Sequence, residues 1–260
     1  MNPLNKEWQI LKQAILFFTR IPLPRSSHYC ASDTQHAIRY LPVIGGLIGL
    51  WASVVFIVIN SYFSLKIGIF LSMISTILLT GAIHEDGFAD FCDSLGGMTS
   101  EKRLLIMKDS NMGAFGVIGL IGILFGKYLF LTHIPESFLP CVLISGHLLS
   151  RYVILFPMLF LPYSGNSKTS KSLSMVQTFH VKNICIATII TGLCLLALPF
   201  YILVSIPIII CMILLLIFYY NKSIGGYTGD YLGAAQQLTE VAHYFSIIFW
   251  LKINESVMLA

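Results

Sequence analysis

Residues 41–65 read LPVIGGLIGLWASVVFIVINSYFSL, twenty-five positions without a single charged side chain. A helix crossing a bilayer needs roughly 20 apolar residues, so this stretch spans a membrane. Ile67–Ile83 is a second charge-free run, of 17 residues. Met112–Pro135 is interrupted only by Lys127 and His133, and the one charged residue in Ser137–Pro162 is Arg151. Asn183–Asn221 is charge-free for 39 residues, too long for one crossing. Pro199 and Pro207 divide it, which predicts two helices meeting near Val204. A last helix is predicted from Asp230 to about Trp250, with Glu240 inside it. The expectation is an all-α, polytopic transmembrane bundle of about seven spans, forming one domain over residues 1–260.

Composition agrees. Hydrophobic residues make up 56% of the chain and charged ones 11%, against about 25% charged in a soluble domain. A net charge of +4 without clustering does not suggest nucleic acid. The six cysteines form no CxxC pair, so neither a disulfide framework nor a zinc site is expected. Ahead of the first span, residues 7–21 place Ile10, Ala14, Phe17, Phe18 and Ile21 on one helical face, with Pro22 and Pro24 closing the helix. That is an N-terminal amphipathic helix lying on the membrane interface, or equally a first helix packed on the bundle. Lys and Arg concentrate before residue 40 (Lys6, Lys12, Arg20, Arg25, Arg39), in 84–111 (Lys102, Arg103, Lys108), in 163–182 (Lys168, Lys171, Lys182) and at Lys222. Alternating spans put all four segments on one side, which the positive-inside rule makes the cytoplasm. Small residues at Gly45 and Gly49 and at Gly113, Gly116, Gly119 and Gly122 suit close helix packing.

Six of the twelve acids fall between residues 85 and 109. Their core is HEDGFADFCD, residues 84–93, directly after a span. If that helix continues, Asp86, Asp90 and Asp93 share one face. Carboxylates at that spacing repel one another, and each costs about 2.5–3.5 kcal/mol near a membrane core. A divalent cation offsets both terms, and carboxylate oxygens are the ligands that Mg²⁺ prefers. His84 is placed to act as a base or to orient the motif. Gly87 and Ala89 leave room for a phosphate. In the following stretch, Arg103 and Lys108 bring positive charge to an acidic neighbourhood, as a phosphate site needs. Asp109 and Ser110 look like a cap for a helix starting near Met112, although Asp109 is equally a ligand candidate. In GGYTGDYLGA, residues 225–234, Gly225, Gly226, Thr228 and Gly229 form a loop whose amides suit phosphate, and Asp230 opens the next helix. Arg151, four residues after His147, either binds phosphate or pairs with Asp93 or Asp230. Glu240, inside a span, is either functional or satisfied by a buried hydrogen bond.

HEDGFADFCDS, RLLIMKDSNMGAFG and GGYTGDYLGA, together with FTRIPLP at 18–24 and YLPVIGGLIG at 40–49, resemble the cobalamin synthases, or adenosylcobinamide-GDP ribazoletransferases. The likeness runs from about residue 15 to 240. It implies a bacterial inner-membrane enzyme, active on the cytoplasmic face. Such an enzyme joins adenosylcobinamide-GDP to α-ribazole or its 5′-phosphate, releases GMP and requires Mg²⁺. It also makes other enzymes of the same pathway plausible partners. Carried over, the family's acidic motif falls on Glu85, Asp86, Asp90 and Asp93 as cation ligands, and its Gly-Asp loop on Gly225, Gly226, Gly229 and Asp230. Asp230 is then a further ligand or the base. Phe91–Cys92 departs from the small polar residues found in the family. CDP-alcohol phosphotransferases share the chemical logic, but their pattern requires an Arg that is missing after Asp86-Gly87. Membrane prenyltransferases usually carry a second Asp-rich motif, absent here. A transporter would suit intramembrane Glu240 and Arg151 but not the concentration of acids at one face.

Overall fold

The computed structural model describes residues 3–24, 35–165 and 181–258. Arg25, Cys30, Lys168 and Lys171 lie outside them. In chain order the helices are α1 (Pro3–Phe18), α2 (Leu41–Tyr62), α3 (Leu65–Thr80), α4 (Ile83–Ser94), α5 (Ser100–Ile106), α6 (Ala114–Thr132), α7 (Leu139–Val153), α8 (Leu155–Phe160), α9 (Val181–Leu196), α10 (Ile206–Ile224) and α11 (Gly229–Met258). Short 3₁₀ turns precede α2 and α10.

Four segments are long and apolar enough to cross a membrane: Gln35–Tyr62, Ala114–Thr132, Leu139–Phe160 and Phe200–Ile224. Helices α3 and α4 meet the same test together, as a pair bent by 90°, for five in all among the described residues. The two further expected spans fall on α9, apolar but only 16 residues long, and on α11, which has 30 residues but a polar face. Large apolar side chains point outward along the crossing helices: Leu50, Val54 and Ile57 on α2, Ile118, Ile121 and Phe125 on α6, Leu214, Leu215 and Phe218 on α10. Water would penalise such a surface, whereas hydrocarbon does not.

Close approach of backbones holds the bundle. A Cβ on Gly45 would fall 2.3 Å from the His147 carbonyl oxygen, and one on Gly49 2.6 Å from Ile144 Cα, so α2 and α7 touch main chain to main chain. Ser53 donates to the Pro140 carbonyl at 2.8 Å and Ser72 to that of Ala52 at 2.8 Å, satisfying hydroxyls where no water reaches. In α1, which starts four residues before the expected stretch and ends at Phe18, Ile10 and Ala14 are buried while Ile21 lies beyond the helix. Glu7 accepts from Arg39 and from the Tyr40 hydroxyl, tying α1 to the start of α2.

The run through Ile67–Ile83 does not continue as one helix into the acidic motif. Gly81 (φ 68°) and Ala82 (φ 58°) are both left-handed, and the chain turns between α3 and α4. The carboxylate spacing survives because α4 is itself helical. Gly81 also leaves the space taken by Arg20: an added Cβ would lie 2.2 Å from Arg20 Nε. Substituting Gly81→Ala therefore adds left-handed strain of about 1–2 kcal/mol and displaces Arg20. It should lower the unfolding temperature of detergent-solubilised protein, whereas Gly122→Ala, with open space around it, should not.

Candidate active site

Helix α4 runs antiparallel to both α6 and α11. Asp93 meets the start of α6 and Cys92 meets Gly119, while Gly87 meets Asp230 and Gly233, and Glu85 meets Gln237. The crossing of α4 and α11 depends on two missing side chains. A Cβ on Gly87 would sit 3.0 Å from Asp230 Cα, and one on Gly233 3.2 Å from Gly87 Cα. That approach brings Asp86, Asp90 and Asp230 within electrostatic reach of one another. Asp86 is exposed and the other two are half-buried. Among the described residues no Lys, Arg or His forms an ion pair with any of them.

Three mutually repelling carboxylates without a counter-charge have the donor chemistry of a hard divalent cation. Among the described residues, however, no three His, Cys, Asp or Glu side chains come together in a group that could hold a metal ion.

The other expected site residues fall elsewhere. Both Asp93 oxygens accept backbone amides, from Gly113 at 2.8 Å and Gly116 at 2.8 Å. Asp93 thus caps α6 from a neighbouring helix. Asp109 and Ser110, expected as that cap, do not fill the role: α6 begins at Ala114, and Asp109 instead closes a turn by accepting from the Asn111 amide at 3.0 Å. Arg103 donates from Nε to the Gly97 carbonyl at 2.8 Å and from Nη1 to the Ser223 and Tyr219 hydroxyls, stapling α5 to α10. Lys108 is exposed.

The Gly225–Gly229 loop is less free than its composition suggests. The amides of Gly225 and Tyr227 are spent on the Asn221 and Pro162 carbonyls, and Ser164 donates back to the Tyr227 carbonyl at 2.9 Å. Thr228 is buried, and its hydroxyl accepts from the Tyr231 amide at 3.3 Å as a cap for α11. Phe91 lies in an aromatic cluster, its ring centroid 5.1 Å from Tyr231 and 5.9 Å from Tyr219. The departure at Phe91–Cys92 is thus a packing feature.

Behind the three aspartates lies a buried polar cluster. Glu240 accepts from Lys127 and Arg151, with His147 Nδ1 at 2.8 Å. Ser150 and Gln236 also donate to it. Arg151 therefore pairs with Glu240 and not with Asp93 or Asp230. His84 is buried and faces this cluster, within electrostatic range of Arg151, Glu240 and Lys127. Sequence reasoning missed Gln236, Gln237 and the pairing role of Lys127. The available signal was Lys127 itself, the lone full charge in its span, since an intramembrane cation demands a partner.

Fold and site together define a helical membrane protein with a carboxylate trio at one end of the bundle and a buried ion cluster inside it. The family model for cobalamin-5-phosphate synthase matches residues 10–248, and the chain belongs to that family. A protein of Vibrio cholerae serotype O1 named adenosylcobinamide-GDP ribazoletransferase is 37% identical over 254 residues, 96% of this chain and 97% of its own length. One from Shewanella piezotolerans with the same name is 39% identical over 255 residues, covering 95% and 98%. A third, from Vibrio vulnificus, is 36% identical over 252 residues, covering 95% and 98%. No solved structure matches the chain.

Replacing Glu240 with Gln would leave Lys127 and Arg151 without their carboxylate. Breaking a buried ion pair from one side costs about 3–5 kcal/mol. Glu240→Gln should therefore reduce the yield of folded protein in membranes sharply, measured by size-exclusion of detergent extracts.

Proposed function

We propose that this chain transfers the adenosylcobinamide-phosphate group from adenosylcobinamide-GDP to α-ribazole or its 5′-phosphate, releasing GMP and completing the nucleotide loop of cobalamin. The observation that carries this reading is identity of 34–39% over nearly the whole of both chains to relatives bearing the transferase name. The α4–α11 carboxylates suit it, because the reacting group is a diphosphate. We further propose seven spans, with α9 and α11 as the fifth and seventh, in a bacterial inner membrane with the aspartates at the cytoplasmic face.

In this reading Asp86 and Asp90 would hold Mg²⁺, which would supply neutralisation of the charge that develops on the diphosphate. The ribazole hydroxyl attacks the phosphorus that carries the cobinamide arm. The bond from that phosphorus to the bridging oxygen breaks, and GMP leaves with the bridging oxygen. Asp230, nearest the start of α11, is the candidate to take the hydroxyl proton. Lys108, the Gly226 and Gly229 amides and the Arg103 Nη2 group are candidates for phosphate contact. Arg103 spends its other two nitrogens on Gly97, Ser223 and Tyr219.

The test is reconstituted protein given adenosylcobinamide-GDP, α-ribazole and Mg²⁺, with GMP and corrinoid product followed by chromatography. Both products should appear together and vanish with EDTA. Asp86→Ala and Asp90→Ala should each lower GMP release by about 10²–10³-fold, the scale of removing a charge stabiliser from a transition state, while the protein still inserts. CMP or pyrophosphate release from a CDP-alcohol or prenyl diphosphate, with no GMP formed, would overturn the assignment.

A further inference from the structure

Glu85 stands next to Asp86 in sequence but points a different way. One residue along a helix is a rotation of about 100°, so Glu85 leaves the Asp86–Asp90 stripe. Its Oε1 accepts from Gln237 Nε2 at 2.8 Å. The same Gln237 accepts from Lys127 Nζ through Oε1 at 2.6 Å. An ammonium has only protons to offer, so Lys127 fixes which end of the amide faces it and thereby turns the Gln237 NH₂ toward Glu85. The second Glu85 oxygen, Oε2, is enclosed and has no hydrogen-bond partner. Glu85 lines a cavity together with Thr80, Lys127, His147, Arg151 and Glu240. The cavity holds about 20 Å³, room for one water. Arg151 Nε is likewise enclosed and unpartnered.

Charge counting gives the arrangement its meaning. With histidines neutral, Lys127 and Arg151 supply two positive charges and Glu240 one negative. Glu85 is the carboxylate that closes the balance. Hydrocarbon makes an unbalanced charge costly, and α4, cut off from α3 by the turn at Gly81–Ala82, has no direct ion pair to another helix among the described residues.

We propose that Glu85 is a positioning residue and not a cation ligand: through Gln237 and one enclosed water it neutralises the Lys127–Arg151–Glu240 cluster and so fixes α4 with Asp86 and Asp90 facing Asp230. This rests on the transferase reading for its kinetic and Mn²⁺ readouts, since charge balance can be measured without substrate or metal.

The experiment compares Glu85→Gln, Lys127→Gln, the double variant and Asp86→Asn. Gln at 127 keeps an N–H donor for Gln237, so the double variant restores neutrality without losing that hydrogen bond. Binding of Mn²⁺ to solubilised protein is followed by electron paramagnetic resonance, and unfolding temperature and turnover are measured alongside. Glu85→Gln should keep Mn²⁺ affinity and the Mg²⁺ KM within about twofold of wild type while kcat falls about tenfold, the scale of lost outer support around a metal site. Asp86→Asn should weaken Mn²⁺ binding at least tenfold. The double variant should recover unfolding temperature and kcat relative to Glu85→Gln. If the single variant does not accumulate in membranes, recovery of accumulation in the double variant is the same readout. Loss of Mn²⁺ affinity in Glu85→Gln comparable to that in Asp86→Asn overturns the proposal, as does a double variant no better than Glu85→Gln. If Asp86→Asn leaves Mn²⁺ binding intact, the aspartate site of the transferase reading fails, and the stability cycle between positions 85 and 127 still decides the role of Glu85.

Discussion

A charge inside a bilayer must find its counter-charge inside the protein, and Glu240 is where this chain meets that demand. Lys127 comes from α6, Arg151 and His147 from α7, and the carboxylate from α11. Apolar helices attract one another only weakly in lipid, whose tails are as apolar as leucine. A cluster with partners on three helices therefore does more than stabilise. It specifies which helices are neighbours and at what height, because sliding one helix by a turn would separate the ions. The glycine contacts of α2 on α7 and of α4 on α11 then act on helices already in register.

The aspartate trio and the buried cluster are two uses of the same helix pair. Along α11, Asp230 belongs to the trio, Gln237 reaches Glu85, and Glu240 lies within the bundle. Along α4, Asp90 and Asp86 face one side and Glu85 another. Repulsion among the aspartates pushes α4 and α11 apart, whereas the backbone contact at Gly87 and Gly233 and the Gln237 bridge hold them together. Asp93 adds a third restraint by capping α6. These restraints keep the aspartates together despite their mutual repulsion, with no counter-charge paired to them among the described residues.

Much of this was legible in the chain. The apolar runs located the helices to within a few residues, and the density of acids in 84–93 marked the helix that carries Asp86 and Asp90. The prolines at 199 and 207 correctly divided the long apolar stretch, with α9 ending at Leu196 and α10 beginning at Ile206. What could not be read was direction. Spacing puts Asp86, Asp90 and Asp93 on one stripe, but nothing in the spacing says that the far end of the stripe meets an uncapped helix. Arg151 looked like a partner for Asp93 or Asp230 because those acids were visible as a motif. Its true partner was one isolated Glu in a helix some ninety residues away. The bend after α3 was also hidden, since Gly81 is an ordinary helix end in sequence and Ala82 gives no sign of a left-handed conformation.

The break at Gly81 and Ala82 has a geometric consequence. Because α4 runs antiparallel to α6, its carboxylates are arranged as rungs descending from the end where α6 begins. At 1.5 Å per residue, Asp90 lies about 4.5 Å below Asp93 and Asp86 about 10 Å below it. An unbroken helix would have carried these acids away from the bundle. Folded back, they stay against the bundle: Asp93 reaches the first amides of α6, and the Gly87 turn between Asp86 and Asp90 lies against α11.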